Sequence, residues 1–174
     1  MERRTVWRGK FLEMATIGSW EFVHRIRGKT PGGAVGIVAV TPQGKMLLIS
    51  QYRIPVGKRI IEIPAGLVGD RDQEETWQVA AERELREETG WQATTFEKLT
   101  QGPTSAGLTS ECITLVRATG LVKQGAPQPD GNEHIEVHEI KLDDVPAWLR
   151  KQEAAGVMID PKVWAGLYFA VAKG

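Results

Sequence analysis

The segment TWQVAAERELREETG, residues 76–90, constrains this chain more than any other. Thr76 is placed to cap a helix and Gly90 to close it in the left-handed conformation, so the pattern predicts one helix over residues 76–89. Within it Glu84 and Glu88 stand one turn apart with Glu87 beside them, because residues three and four apart are neighbours on a helix surface. Like charges at that spacing destabilise an isolated helix by roughly 0.2–0.5 kcal/mol per pair, so something cationic should offset them. A charge run is usually a solvated face. Angular bookkeeping argues otherwise: at about 100° per residue, the three carboxylates fall within one arc, on the side of Trp77, Ala80 and Ala81 that meets the rest of the protein. The acids face inward, and a hard, oxygen-preferring divalent ion such as Mg²⁺ is their natural partner.

Around this helix the chain reads as strands. Residues 20–27 form a strand-like run, and residues 34–41 are almost continuously apolar and β-branched, which suits a strand buried on both faces. Residues 45–52 and 59–63 give two more, and residues 94–99, 113–119 and 134–142 follow the helix. Two helices close the chain, opened by Asp143-Asp144-Val145-Pro146 and by Asp160-Pro161, with Val163, Trp164, Leu167, Tyr168 and Val171 at helical spacing in the second. Strands with helices between and after them predict an α/β fold, an α/β/α sandwich around a mixed sheet.

Composition narrows the function. At 174 residues the chain is about one domain, and 22 basic against 22 acidic residues give no overall attraction to nucleic acid or an anionic membrane. A small anionic substrate held by a few placed groups fits better. The single cysteine, Cys112, permits no internal disulfide and points to a reducing, cytoplasmic compartment; it sits in an apolar run where packing is its expected role. No long apolar stretch follows the basic N-terminus, so no signal peptide is expected, and none is long enough to span a membrane. His24, His134 and His138 are not at a metal-site spacing and are read as structural.

The spacing of the acidic helix carries a resemblance. Gly69, five residues, Glu75, seven residues, then Arg83-Glu84-Leu85-x-Glu87-Glu88-x-Gly90-Trp91 resembles the signature of the Nudix hydrolases, which cleave nucleoside diphosphates linked to another moiety. Flanking segments resemble the ADP-ribose pyrophosphatase and nucleoside-diphosphate-sugar branch: Ser19 to Arg25, Gln51-Tyr52-Arg53-Ile54-Pro55, Ile61-Glu62-Ile63-Pro64-Ala65-Gly66, Ser105 to Glu111, and Gly131 to Val137. In that branch the first glycine of the signature lies in a Pro-Ala-Gly turn. Here that turn ends at Gly66, three residues before the position the spacing requires, which Gly69 fills. We read a loop lengthened by three residues, with Gly66 in the structural role and Gly69 matching partly by accident. The alternative is that Gly69 itself makes the turn, which would unseat Ala65.

The resemblance implies a single Nudix domain over residues 1–174, with N-terminal strands in 1–30 contributing to a homodimer and the Nudix fold in 31–174. It implies Mg²⁺-dependent hydrolysis of ADP-ribose to AMP and ribose 5-phosphate, or of related nucleoside diphosphate sugars, with two or more ions and Mn²⁺ able to substitute. Glu84 and Glu88 are the implied metal ligands, Glu87 a further ligand or water-orienting acid, and Ala65 a ligand through its carbonyl. Arg83 and Glu75 hold the helix and its carboxylates in place, with Glu62 a further candidate for that support. Arg25 and Arg53 are matched to phosphate by the guanidinium fork, and Gly66 and Leu67 fall at substrate-binding positions. Trp20 either stacks on the base or packs in the core; Glu21 either accepts from an exocyclic amine or merely flanks Trp20, and Phe11 is a second aromatic candidate. Glu133 matches the general base, with Glu136 and Asp130 as rivals; regular strand alternation turns Glu136 away from the side of Glu133. Against this stand a non-catalytic binding module, and hydrolysis of damaged triphosphates or RNA caps. The intact carboxylate set disfavours the first and the flanking segments the second.

Overall fold

The computed structural model describes residues 1–26, 33–70, 72, 74–128 and 134–172. In chain order its elements are β1 (Arg4–Arg8), β2 (Leu12–Ile17), β3 (Trp20–Arg25), β4 (Ala34–Ala39), β5 (Lys45–Arg53), β6 (Lys58–Glu62), β7 (Ala65–Leu67), α1 (Trp77–Thr89), β8 (Trp91–Gln92), β9 (Thr95–Pro103), β10 (Cys112–Thr119), β11 (Val122–Lys123), β12 (Glu136–Lys141), α2 (Val145–Ala154), β13 (Met158–Ile159) and α3 (Pro161–Val171). A 3-10 turn, Leu142–Asp144, precedes α2.

Two mixed four-stranded sheets form the middle layer, in the orders β7-β4-β10-β9 and β12-β5-β6-β13. Only β4 with β10 and β6 with β13 run parallel in them. The sheets meet at the turn after β4, where Val40 bridges Met46 and the Thr41 N–H donates to the Lys45 carbonyl. Apolar side chains leave both faces of this layer. Val35, Ile37 and Ala39 of β4, with Leu47 and Val116, pack on Ala80, Ala81 and Leu85 of α1. On the other side Met46, Leu48, Ile61 and Leu115 pack on Val145 and Leu149 of α2 and Val163 and Leu167 of α3. This is the expected α/β/α sandwich, and it explains the unbroken apolar run of β4: each face meets a helix.

Helix α1 begins and ends where its sequence predicts. Thr76 Oγ1 accepts the Val79 N–H at 3.4 Å, and Gly90, at φ 71°, donates its N–H to the Arg86 carbonyl. Elsewhere the boundaries move. The strand expected to run to residue 142 stops at Lys141 because Leu142 enters the 3-10 turn, and the one expected to stop at residue 99 continues to Pro103 because it pairs with β10 throughout. Strands β8, β11 and β13 have two residues each, too few for an alternating pattern to show.

The N-terminal strands β1-β2-β3 form a separate antiparallel meander. It is fastened to the body through Val23, whose N–H donates to the Leu108 carbonyl while its own carbonyl accepts from Ser110. His24 Nδ1 lies 2.7 Å from Ser110 Oγ, a structural pairing of the kind expected for it. Among the described residues no helix is long and apolar enough to cross a membrane.

Candidate active site

The C-terminal half of α1 opens into a cavity of about 440 Å³. Glu84, Glu87 and Glu88 all line it, as their angular position on the helix requires. Glu88 is buried, 5% exposed, and its Oε2 accepts the Ala65 N–H at 2.9 Å, tying α1 to β7. Glu84 presses so closely on the backbone of Gly66 that a Cβ there would lie 1.8 Å from Oε1. Ala65, Gly66 and Leu67 therefore line the cavity beside the carboxylates.

Among the described residues, Arg83 is a cation that offsets the acidic repulsion. Its Nη1 donates to Glu84 Oε1 at 2.6 Å and lies 3.5 Å from Glu87 Oε2, while Nε donates to Glu75 Oε1 at 3.0 Å. Its Nη2 reaches the Leu67 carbonyl at 3.1 Å, so one guanidinium joins helix, loop and β7. Burial by itself would lower the Arg83 pKa, but hydrogen bonds and charge from Glu75 and Glu84 outweigh it and the net shift is upward. Arg83 stays charged. Glu75 also accepts the Gly69 N–H at 2.9 Å through Oε2, so it links the loop to Arg83.

The two glycines at the loop differ in what they do. Gly66 lacks a positive φ but leaves room for Glu84; Gly69 stands at φ 82°, in the left-handed region that disfavours a side chain. Gly69 thus turns the chain within the loop, while Ala65 lines the cavity.

Two arginines enter the cavity from the strands. Arg53, at the end of β5, donates from Nε to Glu62 at 3.0 Å and places Nη2 2.9 Å from the same carboxylate. Glu62 also accepts from the buried Gln51 at 3.0 Å, so it orients Arg53, where we had expected it to support the helix acids. Arg25, at the end of β3, donates to Glu111 Oε1 at 2.7 Å. Gln51, Asp70, Glu111 and Lys162 line the cavity without having been singled out in the sequence. Glu111 lay inside a flanking segment, but Lys162 carried no signal: it enters from the first turn of α3, with Nζ 2.5 Å from Asp160 Oδ2.

Other candidates stand apart. Trp20 is 62% exposed, so it does not pack in the core, and neither it nor Glu21 lines the cavity; Phe11 is exposed as well. Glu136 lies on the other face of β12, 3.9 Å from Arg59 and from His138. Glu133 and Asp130 lie outside the described residues. The donor set on α1 fits a hard cation, being all oxygen on one helix face. Among the described residues no three acidic, histidine or cysteine groups are drawn together as a finished ligand shell, since the Arg83 guanidinium bonds Glu84 and approaches Glu87.

Comparison with known proteins agrees with this geometry. The model of the NUDIX domain matches residues 30–160. A methanol dehydrogenase activator of Bacillus methanolicus is 37% identical over 121 residues, covering 69% of this chain and 64% of that protein. An ADP-ribose pyrophosphatase of Bacillus subtilis is 38% identical over 113 residues, covering 64% of this chain and 60% of that one. This chain thus matches less than two thirds of the length of either relative. A crystal structure of an ADP compounds hydrolase superposes with a TM-score of 0.67 at 21% identity, over 84% of this chain and 81% of that one, and shows the same fold.

Proposed function

This chain belongs to the NUDIX family, and from that premise we propose that it is a divalent-metal-dependent pyrophosphohydrolase. Its substrate is ADP-ribose, split by water into AMP and ribose 5-phosphate, or a related nucleoside diphosphate sugar. The observation that carries this reading is the cavity itself, in which the three carboxylates of α1 face the same space as Arg25 and Arg53. The ADP-ribose pyrophosphatase relative supports the choice of substrate.

Glu84, Glu88 and Glu87, with the Ala65 carbonyl, would hold Mg²⁺, two ions or more, with Mn²⁺ an acceptable substitute for an all-oxygen set. When bound, the metal supplies charge neutralisation at the diphosphate and a more acidic water. Arg53 and Arg25 grip phosphate oxygens, each oriented by its own glutamate. Gly66 and Leu67 let the substrate approach the backbone. Glu133 serves as the base that takes the proton of the attacking water. In β12, Val137 and Glu139 pair opposite Ile49 and Leu47, on the α1 side, and Glu136 pairs opposite Ser50 on the other side, which supports choosing against Glu136.

Residues 1–174 are read as one domain whose N-terminal meander joins two copies into a homodimer, in a reducing, cytoplasmic compartment. Support comes from the apolar side chains that the meander exposes: Val6, Trp7, Phe11 and Trp20. In the dimer Trp20 and Glu21 meet the base. Incubation with ADP-ribose, GDP-mannose, UDP-glucose and NADH in Mg²⁺ tests the reading, and hydrolysis of none of them overturns it. The other reading is a non-catalytic binding module, and binding of ADP-ribose without turnover in the same panel would select it.

A further inference from the structure

Arg83 holds the acids of the cavity and Arg25 and Arg53 are assigned to the diphosphate, but a further cation, Lys162, has no part in the reaction described above. It is the second residue of α3, which packs across the sheet layer from α1. The neighbouring strand fixes its place. Met158 and Ile159 pair with Ile60 and Ile61 of β6, and the Asp160 N–H donates to the Ile61 carbonyl at 2.9 Å. Asp160 then caps α3: its Oδ1 accepts the Lys162 N–H at 2.7 Å, while Oδ2 holds the Lys162 ammonium. Val163, the next residue, is fully buried. Helix stability does not account for a lysine at this position. The partial positive charge of a helix N-terminus disfavours a cation in the first turn, and holding a long side chain costs rotamer entropy. A local preference broken at a cavity wall is the kind of departure that function explains.

An ammonium has three donors and no acceptor, so a single carboxylate does not exhaust it. Among the described residues Asp160 is its one ion-pair partner, and the Lys162 side chain keeps 32% of its surface exposed against 14% for Asp160. Arg25 is steadied by Glu111 and Arg53 by Glu62 in the same way. Cations from β3, β5 and α3, each held by its own carboxylate, therefore enter one cavity. On the opposite wall, bound metal would neutralise the α1 carboxylates, which leaves the diphosphate as the anion that these cations face. Its non-bridging oxygens point in different directions. The metal would meet them from α1 and the planar arginine forks from β3 and β5; Lys162 adds the α3 direction, where a compact, rotatable charge makes a single contact. Resting on the proposed function, we propose that Lys162 is a further phosphate-binding residue, whose ammonium donates to a non-bridging oxygen of the diphosphate from the α3 side of the cavity.

Calorimetric titration tests this on the wild type, Lys162→Gln and Lys162→Arg, in Mg²⁺ at low and at physiological salt. The probe is the α,β-methylene analogue of ADP-ribose, which cannot be split at the bridge. Lys162→Gln should weaken its binding about tenfold, as loss of a hydrogen bond to a charged group predicts, and binding should then depend less on salt than in the wild type. Lys162→Arg keeps the charge and should recover most of the loss. Thermal unfolding of the same proteins separates a merely structural ion pair with Asp160. That role would lower the melting temperature of Lys162→Gln and leave its affinity unchanged, which would overturn the proposal. Weakening that Lys162→Arg does not relieve, or that leaves the salt dependence at the wild-type value, would overturn it as well. A wild type that shows the expected pattern but does not hydrolyse ADP-ribose would overturn the hydrolase reading alone.

Discussion

Arg83 concentrates more of the site than any carboxylate does. It bonds Glu75, Glu84 and the Leu67 carbonyl and stands within 3.5 Å of Glu87, so its planar fork sets where three acids sit. Lysine has one compact charge and cannot reproduce that fork. Arg83→Lys should therefore lower kcat at least tenfold by the usual cost of loosening groups around a metal ligand set, while circular dichroism stays near wild type; an unchanged kcat would count against this role. Gly66 makes the opposite kind of demand, for empty space. A methyl at 1.8 Å from Glu84 Oε1 must push the carboxylate away, so Gly66→Ala should raise the Mg²⁺ concentration needed for half-maximal rate, read from a metal titration. At this scale the acids were legible in the sequence because a helix converts spacing into direction. The partner of Glu62 was not, since a strand tells which face a residue takes and nothing of whether Arg53 or the helix waits there.

Among the elements, α1 was legible to the residue because it carries both caps and an inward stripe, all local information. Leu85 is fully buried at the centre of that stripe, and Leu85→Ala should cost about 2–5 kcal/mol, measured by urea denaturation, with activity lost in parallel as α1 loosens from β4. Strand β12 poses a different problem, because its seam with β5 includes a titrating group. Burial pushes the His138 pKa down; Glu136 acts to raise it and Arg59 to lower it. The folded protein therefore holds the ring neutral, with Nε2 3.0 Å from Ser50 Oγ. Above the unfolded value of about 6.5 this costs nothing. As pH falls below it, the unfolded chain binds a proton that the fold resists, so stability drops until the folded pKa is passed. His138→Gln should flatten that drop, seen by comparing urea midpoints at neutral and mildly acid pH for both proteins.

The whole molecule reads as two unequal parts. The sandwich buries both faces of its sheets under helices, but the meander β1-β2-β3 buries little beyond Glu13 and Ala15 while exposing Val6, Trp7, Phe11 and Trp20. By register Trp7 shares a face with Met14 and Val23, and Trp20 shares the opposite face with Ile17 and Ala15. This small sheet thus exposes large apolar side chains on both faces, and such a sheet needs something to cover it. The sequence could suggest these strands but could not place them, because alternation is the same whether the covering surface belongs to the same chain or to a second copy. The proposed homodimer would answer both demands, covering apolar residues and bringing Trp20, which does not line the cavity of its own chain, to a substrate. Trp7, 59% exposed in β1, is the residue to change, since it lies in neither the cavity nor the sandwich core. Trp7→Glu would place a charge in such an interface and should shift the mass measured by light scattering from two chains toward one, and the same variant should bind ADP-ribose more weakly although every cavity residue is intact. A wild type that scatters as one chain at micromolar concentration would remove the dimer from this account and leave the stacking role of Trp20 without support.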